Sequence, residues 1–177
     1  MILQKVLHSK NYVRTLAASL LLFAVNVSMP VANAEEDEKQ PAQDFTLKSS
    51  SGKNIKLSEL RGQVILLNFW ASWCSTCIKQ LPVLNKLHQQ YKDKGFTVLA
   101  VNIEENSKKA IRIAQKQNLK MPVLFDTFNH VSRYYAVSSI PVSILIDRDG
   151  YMRHSLNATK VSRQKKAKLL IEELLNE

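Results

Sequence analysis

Only two cysteines occur in this 177-residue chain, too few for the dense disulfide framework that holds small secreted folds together. There is no internal repeat, no low-complexity tract and no sign of a second domain in the pattern of apolar residues. Beyond the first thirty residues no apolar run approaches the ~20 residues needed to cross a bilayer. Histidines are also sparse. His88, His130 and His154 stand too far apart to propose as a ligand set, and each is expected at the surface or its boundary. No metal or cofactor is expected.

Charge is plentiful but one-sided, 25 Lys and Arg against 15 Asp and Glu, for a formal net charge of +10. Aromatics do not interleave with the basic clusters, which argues against nucleic acid as a partner. Lys108, Lys109, Arg112 and Lys116 fit the wet face of one helix, and Lys165, Lys166 and Lys168 that of another. The excess is expected to be solvated, with at most weak attraction to acidic partners or anionic lipid.

The N-terminal segment has the composition of an export signal. Lys5, Lys10 and Arg14 precede an apolar core of about a dozen residues, Leu16 to Val27, and Val31-Ala32-Asn33-Ala34 offers a small-residue cleavage site. Residues 1–34 are expected to be removed after Ala34, leaving a periplasmic protein with no stable membrane insertion. An uncleaved N-terminal anchor is the alternative. Neither cysteine lies near the cleavage site, so a lipid-anchored form is not expected. Removal of the leader lowers the formal charge to +7 and leaves residues 35–177, a natural size for one domain.

Both cysteines lie in Trp70-Ala71-Ser72-Trp73-Cys74-Ser75-Thr76-Cys77, directly after the apolar run Val64 to Phe69. A strand that delivers a CxxC pair to the start of a helix suits reversible dithiol–disulfide chemistry. Cys74 at the helix start meets unpaired N–H groups and the positive end of the macrodipole, which favour a thiolate. Cys77 follows on the same face, within disulfide reach. A purely structural bridge here would close a tiny loop and remove little unfolded-state entropy.

Around that pair the chain alternates strand and helix patterns. Glu35 to Gln43 is polar and expected to be a disordered lead-in, with one domain over residues 44–177. Phe45-Thr46-Leu47 and Ile55-Lys56-Leu57 flank Ser49-Ser50-Ser51-Gly52 as a hairpin. Ser58 is expected to cap a short turn ended by Gly62. Val64–Phe69 and Phe96–Ile103 read as strands covered on both faces. Between them the spacing of Leu81, Leu84, Leu87, His88 and Tyr91 predicts a helix from Cys74 to about Lys94, kinked at Pro82. Ser107 is expected to cap a second helix, carrying Ala110, Ile111, Ala114 and Leu119. A short extended piece at Pro122–Phe125 and a helical stretch around Val131–Tyr135 follow. The strand Val142–Ile146, a turn at Asp147–Gly150, a returning strand and an amphipathic helix over 162–175 complete an α/β fold. Its central mixed β-sheet is flanked by helices and extended by the N-terminal β-hairpin.

The chain resembles the thioredoxin-fold exported thiol–disulfide oxidoreductases of the TlpA/ResA-like family. Three parts carry the resemblance: Val64 to Pro82; Met121 to Asp126; and Tyr135 to Pro141 leading into Ile144 to Gly150. The resemblance implies a thioredoxin-like fold, Cys74 as attacking and Cys77 as resolving cysteine, and a cis bond at Ile140–Pro141 opposite them. Ile140 would offer backbone groups to an extended substrate, and Trp73 would form an apolar wall beside the reactive sulfur. Pro122 reads as an ordinary strand-start proline and Trp70 as core.

Two departures from the family pattern stand out. Relatives often carry a buried carboxylate where this chain has Asn68, and a glutamate where it has Gln80. An amide can hydrogen bond but cannot take up a thiol proton. Glu104 and Glu105 are the spare carboxylates nearest in the pattern. The intervening Ser75-Thr76 brings no positive side chain, so Cys74 relies on the helix terminus and on Lys79, and a reducing or intermediate potential is expected. The partners implied are protein thiol or disulfide substrates, of cytochrome c maturation type, and a membrane electron donor. The alternatives are a disulfide oxidase or isomerase, or a copper-handling protein binding Cu(I) through the two thiolates.

Overall fold

In the computed structural model, residues 40–157 and 164–177 are described. The leader expected over 1–34 and the polar stretch as far as Lys39 lie outside them. The lead-in nevertheless ends sooner than composition suggests. Gln40–Pro41 form a short strand, β1, against the later strand Tyr151–Asn157, β8, and Ala42 is buried with its N–H on the Gly150 carbonyl.

The centre of the sheet is β4, Val64–Trp70, whose seven residues are all buried. It is covered on both faces because its side chains alternate between two apolar cores. Val64, Leu66 and Trp70 join Leu81, Leu84 and Tyr91 of the helix α1 (Ser75–Tyr91), and Ile171 and Leu174 of the C-terminal helix α4 (Gln164–Asn176). Ile65, Leu67 and Phe69 join Phe45, Leu57 and Val131 on the other side. β4 pairs in parallel with β5 (Phe96–Asn102) and antiparallel with β7 (Val142–Ile146).

The expected hairpin is present as β2 (Thr46–Ser49) and β3 (Asn54–Lys56), with Leu47 opposite Ile55. It is not an appendage, because β2 also pairs antiparallel with β6 (Val123–Phe125). Among the described residues the sheet therefore has eight strands, in the order β1-β8-β7-β4-β5-β6-β2-β3. The helices α2 (Lys108–Lys116) and α3 (His130–Tyr134) complete the expected order. The lysines and arginine of α2 lie exposed, as do Lys165, Lys166 and Lys168 on α4.

Several local expectations are corrected. Ser58 caps nothing; its N–H is held by Asp44 Oδ1 at 2.8 Å, tying the turn to the chain before β2. Ser107 does not cap α2 with its side chain, and Asn106 Oδ1 takes the Lys108 N–H instead. His88 is not at the surface. It faces the core from α1, where Nδ1 accepts the Val98 N–H at 3.4 Å. α1 runs through Pro82 as a continuous helix and passes into a 3-10 turn closed by Gly95, whose φ of 83° is left-handed.

Candidate active site

β4, β5 and β6 run in parallel, so their C-terminal ends share one end of the sheet. There Trp70 lies opposite Asn102. The chain leaves β4 through Ala71-Ser72-Trp73 and turns into α1, with the Cys74 N–H on the Ala71 carbonyl at 3.2 Å. Cys74 is the N-cap of α1: its backbone is extended and its Sγ accepts the Cys77 N–H at 3.2 Å. A sulfur thus occupies the place where serine or aspartate usually satisfies a free helical amide. Thr76 Oγ1 lies 3.3 Å from the same sulfur.

Cys74 and Cys77 are joined in a disulfide, with Cα atoms 5.2 Å apart. The two are unequally placed: Cys74 is 8% exposed and Cys77 1%. Trp73, beside them, is 67% exposed and so belongs to no core, whereas Trp70 is fully buried. The peptide bond Ile140–Pro141 is cis. Pro141 is buried immediately before Val142, which pairs with Phe69 next to the end of β4. Ile140 packs against both cores.

The two amides that replace carboxylates behave differently. Asn68 is buried and satisfied, donating from Nδ2 to Ser143 Oγ at 2.8 Å and to the Val142 carbonyl at 3.3 Å. Gln80, one turn beyond Cys77 on the buried face of α1, has neither amide atom in a hydrogen bond.

Glu104 and Glu105, adjacent in sequence, part company. Glu104 returns to the approach to the cysteines, accepting the Ser72 N–H at 2.6 Å, the Ser72 hydroxyl at 2.7 Å and Asn102 Nδ2 at 2.9 Å. Burial pulls its carboxyl upward, but the Asn102 and Ser72 donors, helped by Lys109, outweigh it and hold the pKa below the ordinary carboxylate value. Glu105 is exposed and lines an open depression with Thr127, Phe128, Asn129 and Arg133. Glu104 follows the end of β5 by two residues, and its meeting with Ser72 is set by the parallel register of β4 and β5, which the local sequence does not reveal. Among the described residues, no three His, Cys, Asp or Glu side chains gather as a metal ion would require, and no helix is long and apolar enough to cross a membrane.

Comparison with known proteins agrees with this geometry. The AhpC/TSA family model matches residues 39–155. A thiol-disulfide oxidoreductase ResA from Bacillus thuringiensis is 29% identical over 155 residues, covering 85% of this chain and 90% of that protein. Its counterpart in Geobacillus kaustophilus is 34% identical over 118 residues, 67% of this chain and 68% of that one. Among solved structures, a putative thiol:disulfide interchange protein DsbE from Chlorobium tepidum superposes with a TM-score of 0.69 at 33% identity, over 76% of this chain and 98% of that one. With its CxxC pair at the helix start of a thioredoxin-like fold, the chain belongs to the AhpC/TSA family and, within it, to the TlpA/ResA-like thiol–disulfide oxidoreductases.

Proposed function

We propose that this oxidoreductase works outside the cytosol as a reductase of disulfides in selected exported proteins, of the cytochrome c maturation kind. Cys74 is the attacking residue and Cys77 the resolving one. The observation that carries the assignment is the asymmetry of the pair: the Cys74 sulfur caps the free end of α1 and the residue keeps 8% exposure, against 1% for Cys77. Helix N–H groups stabilise a thiolate at residue 74 far better than one at residue 77.

In the reducing direction, the Cys74 thiolate attacks one sulfur of a partner's disulfide. A mixed disulfide forms and the partner's other sulfur leaves as a thiolate. Cys77 then gives up its proton and attacks the Cys74 sulfur, releasing the second partner thiol and closing the Cys74–Cys77 bond. Two electrons have passed to the partner, and a membrane-bound thiol donor restores them. Trp73 supplies an exposed apolar wall for the incoming chain, and Ile140 with Pro141 supports its backbone at the end of β7. Gln80 stands near Cys77 where a proton carrier would serve, and as an amide it slows the second step. Export with cleavage after Ala34 fits the leader, an uncleaved anchor being the other arrangement.

The roles are tested with Cys77→Ala, which should accumulate a mixed disulfide between Cys74 and its partner, identified by mass spectrometry of the attached protein. Cys74→Ala should capture nothing. Equal capture by both variants would overturn the assignment. Equilibration with glutathione tests the direction: a potential as high as about −120 mV, that of a strong periplasmic oxidant, would make the protein a disulfide donor instead.

A further inference from the structure

Glu104 sits close to a reactive dithiol whose usual carboxylates are missing, and a proton-carrying role would be the simple assumption. Its bonding argues otherwise. Two donors from Ser72 and one from Asn102 occupy the carboxylate, at 2.6, 2.7 and 2.9 Å. Its pKa is depressed, so it stays charged across the working range of a thiol enzyme. A carboxylate in that condition is poorly suited to exchange protons. It is well suited to hold a strand end in place.

The brace extends further. Asn102 Nδ2 also reaches the Trp70 carbonyl at 3.4 Å, and the Ile103 N–H donates to that carbonyl at 3.1 Å. The segment Trp70-Ala71-Ser72 is thereby fastened to the end of β5 on its backbone and on its side chain. Cys74 begins two residues later, and its place as N-cap depends on where that segment ends. Charged bonds of this length are the stronger members of their class.

We infer that Glu104 is a positioning residue for the oxidoreductase reaction: by clamping Ser72 it keeps the Cys74 sulfur on the free amides of α1 when the disulfide is open. While the disulfide is closed, Cys77 itself restrains Cys74. In the reduced protein that tether is gone, and what remains on the N-terminal side is the Ser72–Glu104 clamp together with the bonds to the Trp70 and Ala71 carbonyls. Of the charged side chains on α2, Lys109 is the one whose attraction helps keep Glu104 ionised; Lys108, Arg112 and Lys116 on α2, Lys79 on α1 and the adjacent Glu105 are exposed.

As a mere negative charge near the site, Glu104 would raise the thiol pKa of Cys74, and its removal would lower that pKa. As a clamp, its removal lets Cys74 drift from the helix end, and the pKa rises. The test is the pH profile of iodoacetamide alkylation at Cys74 in the reduced, full-length protein, read by peptide mass, for wild type, Glu104→Gln, Ser72→Ala and the double variant. The clamp requires the midpoint of Glu104→Gln to move up by about half a pH unit, roughly a threefold loss of thiolate near neutrality. Ser72→Ala, which keeps the carboxylate and its charge, should move the same way by less, and the double variant no further than Glu104→Gln. A downward shift in Glu104→Gln, additive shifts, or no shift in Ser72→Ala would each overturn the inference. Alkylation needs no substrate protein, so the result stands whichever way electrons flow in turnover. Should Glu104→Gln fail to fold, Ser72→Ala alone decides by whether its midpoint rises.

Discussion

Gln117, on the turn after α2, donates from Nε2 to the carbonyl of Ile78 at 3.3 Å. That carbonyl lies four residues before Pro82, whose ring nitrogen has no hydrogen to offer it. A side chain from the C-terminal cap of α2 thus replaces the missing rung of α1, at the residue directly after Cys77. Replacing Gln117 with Ala should leave the carbonyl open and lower stability by about 1–2 kcal/mol. Pro82→Ala, which restores the N–H, should remove most of that penalty. Urea unfolding of the two single variants and the double variant checks this; strictly additive effects would show that the two residues do not share a bond.

Trp73 is exposed beside the disulfide and supports no core. Trp73→Ala should therefore leave thermal stability within about 0.5 kcal/mol of wild type. Its effect should fall on KM for a protein disulfide, several-fold upward, with little change for a small aromatic disulfide reagent. An equal loss on both substrates would place Trp73 in the chemistry, not in recognition.

Gln80, one turn beyond Cys77, carries a buried amide with neither atom in a hydrogen bond, and an amide cannot take up a thiol proton. Turnover of the wild-type protein should rise steeply from pH 6 to pH 9, because solvent hydroxide must take the Cys77 proton. Gln80→Glu should flatten the profile by raising the rate at the acidic end, since a buried carboxylate titrates above its ordinary value and can accept a proton there. A wild-type rate that is flat over this range would remove the need for any base.

His88 gives the fold a pH dependence of its own. Burial, then the positive charge of Lys92, lowers its pKa from the ordinary value of 6.5. The unfolded chain therefore binds a proton at a pH where the folded one resists it. Stability is complete above about pH 6.5 and is lost as pH falls through the depressed value. Denaturation midpoints at pH 7.5 and pH 5 should show this loss in wild type, and His88→Leu should shrink it. An unaltered difference in the variant would assign the acid sensitivity to other groups.

The strands and helices were legible because their signals are local. Val64–Phe69 is apolar almost throughout, the α1 spacing is helical, and Asp147–Gly150 is a turn by composition. Where the sequence misled, competition among neighbours was the cause. Ser58 and Ser107 both look like caps, yet Asp44 captures one and Asn106 displaces the other. His88 keeps the spacing of an inward residue, and a polar ring seemed better placed outside until β5 supplied a backbone donor for it. Gln40 and Pro41 read as a polar lead-in because nothing in their composition reveals the open edge of β8.

The sequence by itself determined the kind of chemistry: two cysteines spaced for one helical turn, delivered by a buried strand to a helix start. Tertiary structure alone decided what surrounds them. Ser72 meets Glu104, Ile78 meets Gln117 and Asn68 meets Ser143 only once β4 has been paired in register with β5 and β7 and α2 has been laid beside α1. Such bonds link residues distant along the chain, and their partners are chosen by strand register and helix packing, which no local pattern encodes. The reactive sulfur is local in origin, while the framework that steadies it is assembled from across the fold.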